Sequence, residues 1–395
     1  MKMHTPSSTR LLWLFGVAMT ALLSACGGGG GDTAATGSLR LALTDAPACG
    51  YDHVYVTVTG VQFHQLASAT DSDPGWQTLT LTGTPQRIDL LDLQNGVLQE
   101  LGQTVLPVGT YTQMRLLLAP NTAAPYANAA VPTGGAETAL STPSGQTSGL
   151  KLATHFTVAP GQLTDLVLDM DACKSIVTAG ASGRLNLKPV ISVFTRSVTG
   201  MAVDGYVSQW SPYTSVSLQL NGRVVRSTVP NAQGYFVMPY LPDTGTAYDL
   251  VITAPDRVTQ VLRSVPVVDS DITHVGTAST PVVLSAGPSA TLSGGITSGA
   301  GSFEGDVTVR QAVSGTGQIE LASRPVDAVT GAFAYTLGTT ALKTATYVAA
   351  PTLPVWTSYD ASAGQFGVVR VVNGVEVQSQ SVDLRNGPVS VNFSQ

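Results

Sequence analysis

The sequence predicts an all-β protein made of β-sandwiches in series. Short alternating segments, separated by Gly, Pro and Asn, recur along the chain, and no stretch after residue 37 keeps a long helical period. Of the 395 residues, 43% are hydrophobic and only 11% are charged. Because a chain of this length exceeds one ordinary hydrophobic core, we expect two or three domains.

The first 25 residues have the three parts of a secretory signal peptide. Lys2 and Arg10 supply positive charge, residues 11–23 are apolar, and small residues follow. The apolar run is shorter than the about 20 residues that a membrane-spanning helix needs. We therefore expect residues 1–25 to be removed on export.

The end of this signal resembles the lipobox of bacterial lipoproteins, because residues 23–26 are Leu-Ser-Ala-Cys. The resemblance implies that the thiol of Cys26 takes a diacylglyceryl group and that Cys26 becomes the lipidated N-terminus. An ordinary cleaved signal with an incidental cysteine is the alternative. Residues 26–37 would then form a lipidated Gly-rich tether. Gly27, instead of Asp, follows the cysteine, and by the same resemblance this favours the outer membrane.

Alternating apolar and polar residues predict the strands of the mature chain. Within residues 53–63, for example, Val54 and Val56 fall on one face and Tyr55 and Thr57 on the other. The segments that predict strands are residues 38–44, 53–63, 76–81, 87–93, 111–118, 150–158, 162–171, 185–195, 202–209, 215–220, 234–238, 248–253, 290–296, 306–311, 331–337, 345–350, 366–372 and 380–384.

These strands group into three predicted β-sandwiches, over residues 38–197, 201–284 and 289–395, because the alternating pattern restarts at each boundary. Residues 119–149, rich in Ala, Pro, Thr and Gly, are predicted to form a long insertion or loop. A short helix is expected near residues 95–102.

The first sandwich resembles a bacterial lipoprotein domain family of formally unknown function, domain-of-unknown-function family 4382. The segments that carry the resemblance are LTDAP (43–47), DHVYVTV (52–58), LPVGTY (106–111), DACKSI (171–176) and LKPVI (187–191). They cover nearly the whole region in the right order. The resemblance implies a transthyretin-like (prealbumin-like) or immunoglobulin-like β-sandwich and no established activity.

The second sandwich resembles the regulatory domains appended to carboxypeptidases and to many surface proteins. The features that carry this resemblance are DGYV (204–207), ST (227–228), GYF (234–236) and the corner from Leu241 to Tyr248. That corner is also similar to residues 106–111, since Pro and Gly turn the chain before a Tyr opens a strand in both. Such motifs describe a fold more than a function.

Two cysteines remain after Cys26. Cys49 and Cys173 form an even pair in a compartment that permits disulfides, so we predict a bridge between them. Closing such a large loop would contribute about 4–5 kcal/mol by chain-entropy arguments. Two free buried thiols, or one reactive thiol, are the alternative.

Two groups of side chains are candidates for binding. Asp165, Asp169 and Asp171 share one face of an alternating strand, and such carboxylates bind Ca²⁺ when a neighbouring loop helps. A solvated outer face is the simpler interpretation, and we predict neither a metal nor another cofactor. Tyr206, Trp210 and Tyr213 would stack on a sugar ring or anchor a protein partner if exposed on a loop. Capping of a sandwich core is the alternative.

The composition argues against several functions. The net charge is −6, and no Lys/Arg cluster is present, which argues against nucleic acid as a partner. Neither a Gly-x-Ser-x-Gly elbow with partners nor a zinc-binding His spacing occurs, so we predict a non-enzymatic protein. The expected role is binding or scaffolding in the cell envelope, anchored to the membrane through the lipid on Cys26, with a polysaccharide or protein partner. A hydrolase, a hydrolase accessory protein or a purely structural spacer are the alternatives.

Overall fold

The computed structural model describes residues 35–45, 50–81, 83–142, 145, 148–196, 201–242, 244–269, 271–297, 302–314 and 317–395. These residues form six β-sheets, one short α-helix and three 3₁₀ turns. We divide them into an N-terminal segment (36–195), a middle segment (202–283) and a C-terminal segment (289–394). The architecture confirms the predicted all-β class with β-sandwiches in series.

The N-terminal segment packs two sheets on one core. Its strands are β1 (Thr36–Asp45), β2 (Tyr51–His64), β3 (Gln77–Thr80), β4 (Arg87–Asp89), β5 (Gln99–Pro107), β6 (Gly109–Leu118), β7 (Ala129–Pro132), β8 (Thr138–Ser141), β9 (Leu150–Val158), β10 (Leu163–Met170), β11 (Ile176–Ala179), β12 (Arg184–Leu187) and β13 (Ile191–Thr195). Helix α1 (Ala172–Ser175) follows β10, and 3₁₀ turns lie at Leu90–Leu93 and Gly180–Ser182. The sheet orders are β13-β10-β1-β5 and β11-β12-β8-β7-β2-β6-β9, with β3 and β4 also paired to β2.

Strand β1 holds the smaller sheet together because it pairs on both sides, parallel with β10 and antiparallel with β5. Its alternating leucines, Leu39, Leu41 and Leu43, are fully buried in the core between the sheets. Burial of each leucine side chain contributes about 1.5–3 kcal/mol relative to exposure.

One local prediction for this segment is refined and one is wrong. The predicted insertion or loop at 119–149 lies between the paired strands β6 and β9 and contains the hairpin β7–β8, which pairs with β2 and β12 through small residues such as Ala130. The predicted helix near 95–102 is absent from the described chain, because Asn95 and Gly96 take left-handed conformations that end any helix. Strand β5 then begins at Gln99 and fills the edge beside β1.

The middle and C-terminal segments share one sheet. The middle strands are β14 (Ala202–Ser208), β15 (Ser215–Leu220), β16 (Arg223–Thr228), β17 (Tyr235–Met238), β18 (Tyr248–Thr253), β19 (Gln260–Val265), β20 (Ile272–Val275) and β21 (Val282–Val283). The C-terminal strands are β22 (Ser289–Thr297), β23 (Asp306–Val313), β24 (Gly317–Pro325), β25 (Ala332–Gly338), β26 (Leu342–Thr346), β27 (Thr357–Tyr359), β28 (Gln365–Val372), β29 (Val375–Asp383) and β30 (Val389–Ser394), with a 3₁₀ turn at Asp360–Ser362.

The shared sheet has the order β16-β15-β18-β19-β26-β27, so two C-terminal strands extend a sheet of the middle segment. Strand β26 runs parallel to β19, with Val261 opposite Thr344. The other sheets are β17-β14-β20 with β21 beside β14, β25-β22-β30, and β24-β23-β28-β29. The predicted domain boundaries stay a prediction, but the sheets do not divide strictly at residues 284–289.

The two predicted Pro–Gly–Tyr corners have the same geometry. The Tyr111 hydroxyl donates to the carbonyl oxygen of Pro107 at 2.9 Å, and the Tyr248 hydroxyl donates to that of Pro242 at 2.8 Å. Both tyrosines are buried. Each corner therefore fixes the start of a core strand, as the sequence similarity between the two corners indicates. Among the described residues, no helix is long and apolar enough to cross a bilayer.

Strand β26 supplies the test of this shared sheet. Leu342 is fully buried in a small core with Val251 and Val261 of the middle segment and Val313 and Ile319 of the C-terminal segment. Leu342→Ala is expected to lower the free energy of unfolding by about 2–5 kcal/mol, because it leaves a cavity between the segments. Urea denaturation followed by circular dichroism measures this loss.

Leu353→Ala is the matched control, since the Leu353 side chain is 53% exposed. It is expected to change the free energy of unfolding by about 0.5 kcal/mol or less. Equal effects of the two substitutions would show that the Leu342 contacts do not hold the segments together.

Candidate binding cleft

A cleft of about 490 Å³ lies where the three segments meet; we call it the junction cleft. The N-terminal segment contributes α1 and its flanking residues, the middle segment contributes β15 and β18, and the C-terminal segment contributes β22, β24 and β25. Concave sites of about 300–1,000 Å³ are the usual size of small-ligand sites. The position and volume of the junction cleft make it the candidate binding site.

Hydroxyl groups line two walls of the junction cleft in cross-strand pairs. Ser215 of β15 lies opposite Thr253 of β18, and Thr291 of β22 lies opposite Thr336 of β25. Directly opposite residues project from the same face of a sheet, so each pair presents two adjacent hydroxyls. None of these four hydroxyls hydrogen-bonds to another residue that the structure describes, which leaves them available to a ligand.

The third wall carries charged groups around Lys174. Helix α1 starts there because the Asp171 carboxylate accepts a hydrogen bond from the Lys174 backbone N–H at 3.0 Å. The Lys174 Nζ lies 3.4 Å from Glu320 Oε1 and 3.8 Å from Asp171 Oδ2. Burial lowers the pKa of Lys174, but Glu320 and Asp171 outweigh it, so the pKa is raised above its ordinary value. Burial raises the pKa of Asp171 despite Lys174.

Glu320 connects all three segments. Its backbone N–H donates to Gln219 Oε1 at 2.9 Å, and Gln219 Nε2 donates to its carbonyl oxygen at 2.6 Å. Gln219 is only 1% exposed, and these two partly buried hydrogen bonds join the middle and C-terminal segments. The carboxylate of the same glutamate contacts Lys174 of the N-terminal segment. Glu320 thus fixes the geometry of the junction cleft.

Sequence reasoning missed Glu320, Lys174 and Gln219, because their partners are 101 to 146 positions away. It also missed that Asp171 and Glu320 are two carboxylates in one cleft, an arrangement that glycoside hydrolases use. Here one ammonium group contacts both carboxylates. No local motif in the sequence signals this arrangement.

The structure separates the three predicted aromatic residues. Tyr213 is 51% exposed and lines the junction cleft. Trp210 is partly buried and packs against the core of the middle segment. Tyr206 lies beside Tyr235, with ring centroids 5.2 Å apart, on the sheet that contains β14 and β17. Only Tyr213 is therefore placed where it could contact a ligand in the cleft.

The predicted cysteine sites lie largely outside the described residues, since neither Cys26 nor Cys49 is among them. Cys173 lies in α1 and lines the junction cleft. Gly50, the residue that follows Cys49 in the chain, lines the same cleft. The Cys49–Cys173 disulfide stays a prediction.

The predicted solvated face of the acidic strand is wrong, because the middle segment covers it. Asp165 is buried and forms an ion pair with Arg40. Asp169 lies 3.8 Å from the guanidinium of Arg226, which belongs to the middle segment. Asp171 caps α1 as described above. Within the described ranges, no group of three or more His, Cys, Asp or Glu side chains is arranged to hold a metal ion.

A second feature, which we call the acidic joint, consists of Asp45, Asp169 and Arg226. The Arg226 guanidinium lies over the ring of Phe194 at 3.7 Å, so a cation–π contact accompanies its pairing with Asp169. Asp45 is buried, and its Oδ1 accepts a hydrogen bond from the Ala172 N–H at 3.3 Å. Its Oδ2 has no hydrogen-bond partner among the described residues.

Burial raises the pKa values of both carboxyls of the joint. The pKa of Asp45 is well above its ordinary value, first because of burial and then because Asp169 and Asp171 are near. Burial raises the pKa of Asp169 to about 6, although Arg226 opposes the shift. The joint therefore holds protons that the unfolded chain would release at lower pH.

This excess of bound protons predicts how stability depends on pH. A carboxyl whose pKa is raised in the folded state favours folding most below its unfolded pKa, and that contribution is lost as pH rises through the folded value. For Asp169 the loss spans about pH 4 to 6. The free energy of unfolding is expected to fall over this range, and Asp45→Asn is expected to make the fall smaller. Urea denaturation at several pH values measures both slopes, and identical slopes would contradict the assignment to Asp45.

Three solved structures are similar to the chain at low sequence identity. A cohesin-X-dockerin complex from Acetivibrio cellulolyticus is 21% identical over 22% of this chain and 59% of that chain, with a TM-score of 0.19. The Bacillus anthracis TIE protein is 13% identical over 91% of this chain and 50% of that chain, with a TM-score of 0.17. A streptococcal ancillary pilin is 9% identical over 91% of this chain and 99% of that chain, with a TM-score of 0.16. Scores this low carry no argument about function.

The sequence comparisons concern the N-terminal segment. No curated protein matches the sequence significantly. The lipoprotein signal and the similarity of the middle segment to carboxypeptidase regulatory domains stay predictions. Residues 36–189 match the family model described as "Domain of unknown function (DUF4382)", which confirms the resemblance predicted for this part of the chain.

Proposed function

We propose that this protein is a lipid-anchored binding protein of the cell envelope, and that its ligand occupies the junction cleft. The single observation that carries the proposal is a cleft of about 490 Å³ to which all three segments contribute. A site built from three segments needs all of them in fixed positions, which gives each segment a part in binding.

The contacts between the segments support a binding role over that of a plain spacer. Gln219 and Glu320 are joined by two partly buried hydrogen bonds, and β26 extends the sheet of the middle segment. A ligand therefore meets a preformed site and does not have to order it, which preserves binding free energy. A spacer would need no such cleft with unpaired hydroxyls.

The anchor in this proposal is the lipid on Cys26, which the Gly-rich tether of residues 26–37 connects to the first strand. We place the protein at the outer membrane, with the membrane as one partner and a polysaccharide or a protein as the other. The net charge of −6 disfavours nucleic acid.

We also propose that the protein is not an enzyme, although Asp171 and Glu320 favour a second candidate, a glycoside hydrolase. In such enzymes one carboxyl acts as an acid and the other as a base or nucleophile. Lys174 contacts both carboxylates here, and Asp171 is further engaged as the cap of α1. Both groups are thus held by structural contacts, which supports binding over catalysis.

The lipid anchor is tested by metabolic labelling of the full-length protein in a Gram-negative host with an alkynyl fatty acid. The wild type is expected to take up the label and to fractionate with membranes, because Cys26 supplies the thiol that is modified. Cys26→Ser is expected to lose the label, since no other residue of the lipobox carries a thiol.

Cys49→Ser is the matched control and is expected to keep the label, because Cys49 is not at the end of the signal. An unlabelled wild type, or a labelled Cys26→Ser variant, would contradict the proposed anchor.

A further inference from the structure

We infer that the ligand of the junction cleft is a neutral glycan. This inference rests on the proposed binding function and names the chemical class of its ligand. Three independent features of the cleft support it: the unpaired hydroxyls, the compensated charges and one exposed aromatic ring.

The hydroxyl pairs match the chemistry of a sugar. Ser215 with Thr253, and Thr291 with Thr336, place four hydroxyls on two walls of one cleft. Each hydroxyl both donates and accepts, as do the hydroxyls of a saccharide, so many mutual hydrogen bonds can form. Strands β15 and β18 are interior strands whose backbone groups already pair with neighbours, so their side chains and not their backbone are offered to a ligand.

The charges of the cleft favour a neutral ligand over an ionic one. Lys174 contacts both Asp171 and Glu320, and together with Arg324 the charged side chains that line the cleft have a formal net charge of zero. A phosphate or carboxylate ligand would have to compete with these two carboxylates for the ammonium group. Arg324, which lines the cleft, forms no ion pair with a described residue, and its five N–H donors suit sugar hydroxyls as well.

Tyr213 supplies an aromatic surface on an ordered turn. Its side chain is 51% exposed, and the turn that carries it is fixed by hydrogen bonds between Ser211 and Thr214, at 2.8 and 2.9 Å. The apolar face of a sugar ring stacks on such an aromatic ring. Since the backbone of the turn is ordered before the ligand arrives, little backbone entropy is lost on binding.

The test uses the full-length protein purified in detergent. The probes are immobilised neutral hexasaccharides of glucose, mannose, galactose and N-acetylglucosamine, with oligomers of galacturonic acid as the acidic comparison. Binding to at least one neutral hexasaccharide is expected. Tyr213→Ala is expected to weaken it about tenfold, which corresponds to the loss of one stacking contact.

Two further variants locate the site. The double variant Thr291→Val, Thr336→Val keeps the shape of both side chains but removes two hydroxyls, and it is expected to weaken binding about tenfold or more. Tyr206→Ala is the matched control, because Tyr206 is a tyrosine of the same sequence segment that does not line the cleft. It is expected to leave affinity within about twofold. Thermal melting of every variant verifies that it is folded.

Several results would overturn the inference. A folded wild type that binds no neutral hexasaccharide, or only galacturonic acid oligomers, excludes a neutral glycan. Equal affinities of the wild type, Tyr213→Ala and the threonine variant exclude the junction cleft. A wild-type protein that binds no glycan but keeps the lipid label on Cys26 would contradict this ligand class without contradicting the proposed anchor.

Mass spectrometry of the bound saccharide separates binding from hydrolysis. An intact hexasaccharide supports both the ligand class and the non-enzymatic function. Shortened products that disappear in Glu320→Gln would support the ligand class and contradict the non-enzymatic part of the proposed function.

Discussion

The hydrogen bonds between Gln219 and the backbone of Glu320 are the contact on which the rest of the structure depends. The Gln219 side chain is buried, and the Glu320 side chain contacts Lys174, so one residue meets all three segments. A buried amide and a largely buried carboxylate are costly to leave unpaired, because each would lose hydrogen bonds to water without replacement. The segments therefore have a strong preference for the one arrangement in which these groups are satisfied.

The acidic joint and the junction cleft show two ways of treating charge between packed segments. In the cleft, Lys174 contacts both carboxylates, and Arg324 is a second cation in the lining. In the joint, Arg226 compensates Asp169, while Asp45 stays without a cation and binds its proton tightly instead. Breaking a buried pair is costly even where the pair itself adds little net stability, so both features favour specific docking of the segments.

The sequence predicted the local structure better than the contacts between segments. The two-residue period around Val54 and Val56 predicted strand β2, and both Pro–Gly–Tyr corners were visible as repeats. The β7–β8 hairpin was not predicted from the sequence, because its Ala and Thr residues give only a weak alternating pattern. The pairing of β26 with β19 and the contacts of Glu320 join distant parts of the chain, so no local pattern predicts them. The sequence predicted Tyr213 as a candidate binding residue, but it did not predict the cleft that Tyr213 lines.

The central claim is that the three segments are held in one fixed arrangement around Glu320. Pulsed electron paramagnetic resonance between spin labels at Val105→Cys and Val375→Cys tests it most directly, since both side chains are exposed and lie in the N-terminal and C-terminal segments. A single narrow distance distribution is predicted, and Gln219→Ala is predicted to broaden it. A broad distribution in the protein with Gln219 intact would contradict the claim.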